Sequence, residues 1–186
     1  SGDGGDELFG GYNRYVWAPR LSDRFSSLPR PARRTLARFI SRFSPSTLDS
    51  VSRFLPVSQF GNKAHKFSER LSNLDTCDNL YLSLLSCWPD PSSVMQGETS
   101  CHPNLLPTHH LLPDCLSANP AGRMMAWDIL GYLPDDILVK VDRASMSVGL
   151  ETRAPFLDHR LAALSCQLPM EMKIRGNTTK WVLRQV

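Results

Sequence analysis

The 186-residue sequence predicts a predominantly α-helical chain. Apolar residues recur at helical spacing across residues 31–43, 62–88 and 135–148. No alternating strand pattern runs beyond four residues, and there is no internal repeat. Prolines and glycines punctuate the periodic stretches where helices should start or stop.

In chain order, residues 1–11 read as a glycine-rich turn carrying Asp3, Asp6 and Glu7. Residues 7–15 can form a short helix weakened by Gly10 and Gly11. Two short helices follow, separated around Pro29 and Pro31; Pro31 suits a first turn, and the second helix runs to Phe43. Ser46 or Thr47 is expected to cap a further helix reaching Phe54. Residues 62–88 give one or two amphipathic helices on the stripe Phe67, Leu71, Leu74, Leu80, Leu84 and Leu85. Residues 89–120, rich in Pro, Ser, His and Asn, are expected to be a loop or linker.

Beyond it, RMMAWDILGYL is apolar enough for a buried helix. After Pro134 a separate helix is expected, with Asp135 and Asp136 in its first turn, the stripe Ile137, Val141, Ala144 and Val148, and Gly149 as its stop. A helix over residues 157–167 and another from near Thr178 complete the chain.

Composition excludes several classes. Hydrophobic residues at 41% and charged residues at 21% are ordinary for a globular chain, which rules out a low-complexity polymer. No apolar run is long enough to span a bilayer. The net charge of +3 does not by itself argue for nucleic acid, although residues 14–53 carry nine arginines against Asp23 and Asp49. Such a stretch could meet RNA, an acidic membrane surface or a polyphosphate, or simply be a solvated helix face. Cysteines at 77, 87, 101, 115 and 166 are odd in number and include no CxxC pair, so reduced thiols in a cytoplasmic protein are expected. Cys87, Cys101, His102, His109, His110 and Cys115 have zinc-type chemistry but match no compact ligand spacing.

Four stretches carry candidate chemistry. In SGDGGDELFGGY, closely spaced glycines let the backbone approach an anion, and Asp3 and Asp6 suit a divalent cation that neutralises phosphate. In YLPDDILVKVDRASM, Asp142 and Arg143 are either a surface ion pair or a buried pair at a site. In GLETRAPFLD, Glu151 and Arg153 should point to opposite faces of an extended segment, and Asp158 can cap the next helix. In TTKWVLR, Lys180 and Arg184 would share one helix face suited to phosphate oxygens.

Each stretch alone is better explained by a structural role. Taken in order, SGDGGDELFGGY, LPDDILVKVDRASMSVGLETRAPFLDHRL and the C-terminal KWVLR closely resemble the synthetase domain of glutamine-dependent asparagine synthetases. The resemblance implies an α/β fold of the ATP-pyrophosphatase (adenine nucleotide alpha hydrolase-like) type for the full protein. It makes residues 1–186 a partial C-terminal synthetase domain, cut at both ends, since the chain opens on Ser1 and stops at Val186 inside an expected helix.

It further implies ATP and Mg²⁺, with aspartate converted to asparagine through β-aspartyl-AMP and ammonia supplied from glutamine by a separate N-terminal glutaminase domain. Nucleic acid is not an implied partner, and a homodimeric full protein is compatible. By the resemblance, Asp3 and Lys180 are catalytic. Ser1, Gly2, Gly4, Gly5, Asp6 and Arg184 bind the nucleotide, and Asp6 also holds the metal. Asp136, Asp142, Arg143, Glu151 and Arg153 line or brace the site.

The 186 residues contain no SGGxDS pyrophosphate loop, so the chain alone is expected neither to bind ATP well nor to turn over. Relatives that amidate polysaccharide precursors or cyclise lasso peptides and β-lactams share the blocks, as would a non-catalytic interaction module that had kept them.

Overall fold

The computed structural model describes residues 1–51, 60–71, 76–86, 116 and 118–186. Among these residues the chain is mostly helical, and its β pairing is limited to an isolated antiparallel bridge between Arg175 and Thr178. It forms two compact units, Arg20–Pro89 and the remainder.

The first unit begins with α1 (Gly5–Phe9), which ends where Gly10 turns left-handed at φ 68°. The start of α2 (Arg14–Ser26) follows, and α2 passes into the second unit. In the second unit, α3 (Arg30–Ser41) has Pro29 before it and Pro31 in its first turn, as the sequence predicts. α4 (Pro45–Val51) is capped by Ser44, whose Oγ accepts the Thr47 amide at 3.2 Å, rather than by Ser46 or Thr47. The expected continuation to Phe54 lies outside the described residues.

α5 (Phe60–Leu71) packs against both α3 and α4. Gly61 permits the approach to α4: a Cβ there would stand 2.0 Å from the Pro45 carbonyl oxygen, and the Gly61 amide donates to Asp49 at 2.8 Å. α6 (Cys77–Leu85) begins at Thr76, whose hydroxyl accepts the Asn79 amide at 3.1 Å. The 62–88 stretch therefore contains two helices, with Leu74 and Trp88 outside the described residues.

The chain is next described from residue 116, so Cys87, Cys101, His102, His109, His110, Cys115 and most of the 89–120 loop lie outside the described residues. α7 (Pro120–Trp127) starts on Asn119, whose side chain accepts the Ala121 amide at 2.8 Å. Helical backbone then continues without a break through a widened π-type segment, Asp128–Leu138, into α8 (Val139–Met146). The separate helix expected after Pro134 is thus the far end of one continuous run. An α-turn would drive the proline ring into the carbonyl of residue 130, and the wider π-turn gives it room. Asp135 and Asp136 accordingly sit inside the run, and Val148 is 78% exposed beyond its end.

After Gly149, at φ 69°, an extended segment leads to a 3₁₀ turn, Pro155–Leu157. α9 (His159–Gln167) is capped as expected by Asp158, which accepts the Arg160 amide at 2.9 Å. α10 (Met170–Lys173) is short. The helix expected from Thr178 is absent: residues 175–178 form a tight turn, the Trp181 amide donates to the Lys173 carbonyl at 2.9 Å, and helical geometry is limited to one 3₁₀ turn, Val182–Arg184. Leu8, Phe9, Tyr15, Met124, Met125, Trp127 and Leu133 fill the core of this unit.

Gly10→Ala should destabilise the chain by roughly 1–3 kcal/mol in urea denaturation. The position is left-handed, and a Cβ would lie 2.7 Å from Ile174. Gly2→Ala, with open space around its Cβ, should change little. Hydrogen bonds from Arg160 hold the Asp158 carboxyl down at about 2. Its contribution is therefore complete above the unfolded value of 3.8 and lost as pH falls through about 2. The melting-temperature gap between the parent and Asp158→Asn should shrink across that window.

Candidate active site

The acidic glycine turn is set in place from two directions, both within the first unit. On one side it meets the segment after Gly149: Gly4, at φ 87°, approaches so closely that a Cβ would sit 2.6 Å from Leu157 Cδ2, and Gly5 lies against the Phe156 ring. Phe9 stacks edge-on to the same ring at 5.8 Å. On the other side it meets the C-terminal segment through Gly10 and Ile174, and through Gly11 and Lys180.

Gly11 brings the two ends of the chain together. The Lys180 ammonium lies 2.9 Å from Asp6 Oδ1, directly over the Gly11 backbone. A Cβ on Gly11 would fall 1.8 Å from that carboxylate oxygen and 2.3 Å from Lys180 Cε. Lys180 itself has φ 52°, the positive φ found at a non-glycine residue. Such a conformation persists only where surroundings enforce it, and it recurs at functional sites. Asp6 and Lys180 are both partly exposed and so reachable by a ligand.

Asp3 is half-buried and accepts a hydrogen bond from Ser1 Oγ at 2.5 Å. The Gly5 amide is engaged by the Gly2 carbonyl at 3.3 Å, and Gly4 and Gly5 owe their lack of a side chain to Leu157 and Phe156. Arg184 does not share a helix face with Lys180; it is exposed, and its Nε donates to the Thr179 carbonyl at 2.9 Å. Asp142 and Arg143 are exposed on α8. Asp136 pairs with Lys140 at 2.5 Å. Glu151 and Arg153 meet at 2.6 Å, although an extended backbone would send them apart, because both side chains are long enough to reach around.

Behind the turn lies a buried polar cluster that spacing did not flag. Asp128 is fully buried and accepts from Arg14 at 2.7 Å and from the Tyr15 hydroxyl. Arg14 lies over the Tyr12 ring at 4.2 Å and the Tyr132 ring at 5.1 Å. The Tyr12 hydroxyl donates to Glu7 at 2.7 Å, and Glu7 is only 1% exposed. Burial first, and the neighbouring carboxylates second, push both tyrosine hydroxyls above the ordinary phenol range, so both remain donors. The signal available in the sequence was an acid, Asp128, inside an apolar helix, matched by an arginine between two tyrosines.

Comparison with known proteins decides the kinship. The family described as asparagine synthase matches residues 1–186. The chain belongs to the asparagine synthase family. A Mycobacterium tuberculosis relative, provisionally named a glutamine-hydrolyzing asparagine synthetase, is 32% identical over 188 residues, covering 100% of this chain and 26% of its own length. The Bacillus subtilis asparagine synthetase (glutamine-hydrolyzing) 1 is 28% identical over 188 residues, covering 100% of this chain and 27% of the relative. The Gallus gallus asparagine synthetase (glutamine-hydrolyzing) is 44% identical over 55 residues, which is 29% of this chain and 9% of that protein. The chain thus spans about a quarter of the length of the first two relatives. No solved structure matches.

Removing the carboxylate with Asp128→Ala should cost about 3–5 kcal/mol, because it takes the anion and acceptor away from the largely buried Arg14 guanidinium and the Tyr15 hydroxyl. Equilibrium denaturation measures it. Gly11→Ala should part Asp6 from Lys180 while leaving the fold intact, and faster acetylation of Lys180 would report the separation.

Proposed function

We propose that this chain supplies the Asp6–Lys180 half of a nucleotide site in an ATP-consuming, amide-forming ligase that converts aspartate to asparagine with nitrogen from glutamine. The observation that carries the reading is the Asp6–Lys180 pair. Residues 174 positions apart in sequence meet at 2.9 Å over a glycine where a Cβ would clash with both, and Asp3 stands three residues before Asp6 in the same turn. In this reading the segment belongs to an ATP-pyrophosphatase-type α/β domain, joined to a glutaminase domain in the intact protein.

The residues fit the groups the reaction requires. Magnesium commonly takes one or two protein carboxylates and draws its other oxygens from phosphates and water. Asp6, with Asp3 nearby, meets that modest demand, and among the described residues no group of three or more metal-ligating side chains does more. The bound ion would neutralise phosphate charge. In the ligand-free protein Lys180 neutralises Asp6; when a triphosphate enters, its ammonium is free to turn to phosphate oxygens while Asp6 faces the cation.

Lys180 then stabilises the charge that develops when the aspartate carboxylate displaces pyrophosphate to form β-aspartyl-AMP. In this reading Asp3 is the acid that faces the acyl group attacked by ammonia, with AMP leaving. Arg184 is a peripheral electrostatic contributor, and Ser1, Gly2, Gly4 and Gly5 shape the turn that presents the acids.

In the intact gene product, Lys180→Ala and Asp6→Asn should each lower aspartate-dependent ATP–pyrophosphate exchange by about a hundredfold or more. Arg184→Ala should do much less. The purified 186 residues, which contain no SGGxDS loop, should show no exchange. Full exchange by Lys180→Ala would overturn the assignment.

A further inference from the structure

Lys180 is presented by a small closed loop at the C-terminal end of α10. Arg175 and Thr178 exchange both of their backbone hydrogen bonds at 2.9 Å across a two-residue turn, in which Gly176 has φ 62°. Below that turn the Trp181 amide donates to the Lys173 carbonyl at 2.9 Å. The two limbs are unequal: Lys173 precedes Arg175 by two positions, whereas Trp181 follows Thr178 by three. The extra residue on the returning limb accompanies the left-handed backbone of Lys180, at φ 52°, as in a bulge. The loop is anchored at its base, where Lys173 is buried and Ile174 lies against Gly10 at the end of α1.

Across this loop the Arg175 guanidinium lies over the Trp181 ring, 4.7 Å from its centroid. Arg175 is exposed and makes no ion pair among the described residues. Trp181 is half-buried and directly follows Lys180. The side-chain contact therefore ties the residue before the turn to the residue after Lys180, closing the limb that carries the surplus residue. From that limb the ammonium reaches Asp6 Oδ1 at 2.9 Å over Gly11. An arginine resting on an indole is common at a protein surface. Here the indole adjoins a lysine whose backbone conformation its surroundings must enforce, and a flexible lysine side chain is aimed only as well as its backbone is held.

We propose that Arg175 and Trp181 are positioning residues, whose cation–π contact keeps the loop closed and so aims Lys180 at the Asp6 side of the nucleotide site. Neither touches the reacting atoms. Theirs is a role that rests on the ligase reading, because it runs through the charge stabilisation given there to Lys180. With the contact removed, the backbone at Lys180 can relax from its left-handed conformation, and the ammonium drifts from Asp6 and from the phosphate oxygens it would meet.

The test is a double-mutant cycle on aspartate-dependent ATP–pyrophosphate exchange in the intact gene product. Arg175→Ala and Trp181→Ala should each lower kcat about tenfold, with little change in the KM for aspartate. Arg175→Lys and Trp181→Phe, which keep a cation and an aromatic face, should retain most of the parent rate. In a Lys180→Ala background Arg175→Ala should cause no further loss, since its influence runs through the lysine. A further loss of similar size there would overturn the proposal, as would unchanged exchange by Arg175→Ala where Lys180→Ala abolishes it; both leave the ligase reading standing. Full exchange by Lys180→Ala would instead overturn the ligase reading and this role with it. A second readout needs no turnover: in the ligand-free protein, acetic anhydride should acetylate Lys180 several-fold faster in Arg175→Ala than in the parent, at an unchanged melting temperature. Equal acetylation rates would overturn the clamp.

Discussion

The contact between Arg14 and Asp128 governs the rest of the first unit. A fully buried carboxylate is tolerable only when paired and hydrogen-bonded, and here Arg14 and Tyr15 supply both requirements. The pair joins positions 114 residues apart, so it fixes the start of α2 against the helical run that begins at Pro120. The chain between α1 and Arg14 is short, which leaves α1 and its flanking glycines little freedom once Arg14 is placed. The aromatic faces of Tyr12 and Tyr132 around the guanidinium, and the Tyr12 bond to Glu7, carry the same constraint back into α1.

The candidate site inherits its geometry from this arrangement more than from its own charges. An ion pair as open to solvent as Asp6–Lys180 stabilises a fold by little. What holds it is the approach of backbone at Gly11, the seating of Ile174 on Gly10, and the contacts of Gly4 and Gly5 with Leu157 and Phe156. A weakly held pair on a rigid base suits a binding site, because the lysine can exchange its carboxylate for a ligand anion at small cost. Among the described residues Lys180 is a non-glycine residue with a positive φ, a conformation that its surroundings must hold in place.

Much of the local structure was legible because it rests on local chemistry. Pro31 in a first turn and Asp158 as a cap stand where side-chain preferences put them, whereas Gly10, read as weakening a helix over residues 7–15, instead ends α1. The kinship was also legible, since SGDGGDELFGGY and the 133–161 block are long enough to identify a family that the comparison then bore out. Three features were not legible, and each depends on distant partners. Pro134 reads as a break, yet the helix widens and continues. Residues 178–184 read as a helix, yet the bond from Trp181 to Lys173 folds them back, and helical geometry is confined to Val182–Arg184. Asp128 passed as an ordinary acid in an apolar helix because nothing in its neighbourhood announces an arginine 114 positions earlier.

On these contacts the acidic turn should open only together with the packing around Asp128, not as a loop resting on it. Native-state hydrogen exchange tests this most directly, by comparing the Leu8 and Gly11 amides, bonded to Gly4 and Asp6, with the Arg123 amide, bonded to Asn119 at the start of α7. The account predicts that all three open together with the same free energy and the same denaturant dependence. Exchange of Leu8 and Gly11 through a separate, low-energy opening while Arg123 stays protected would contradict it.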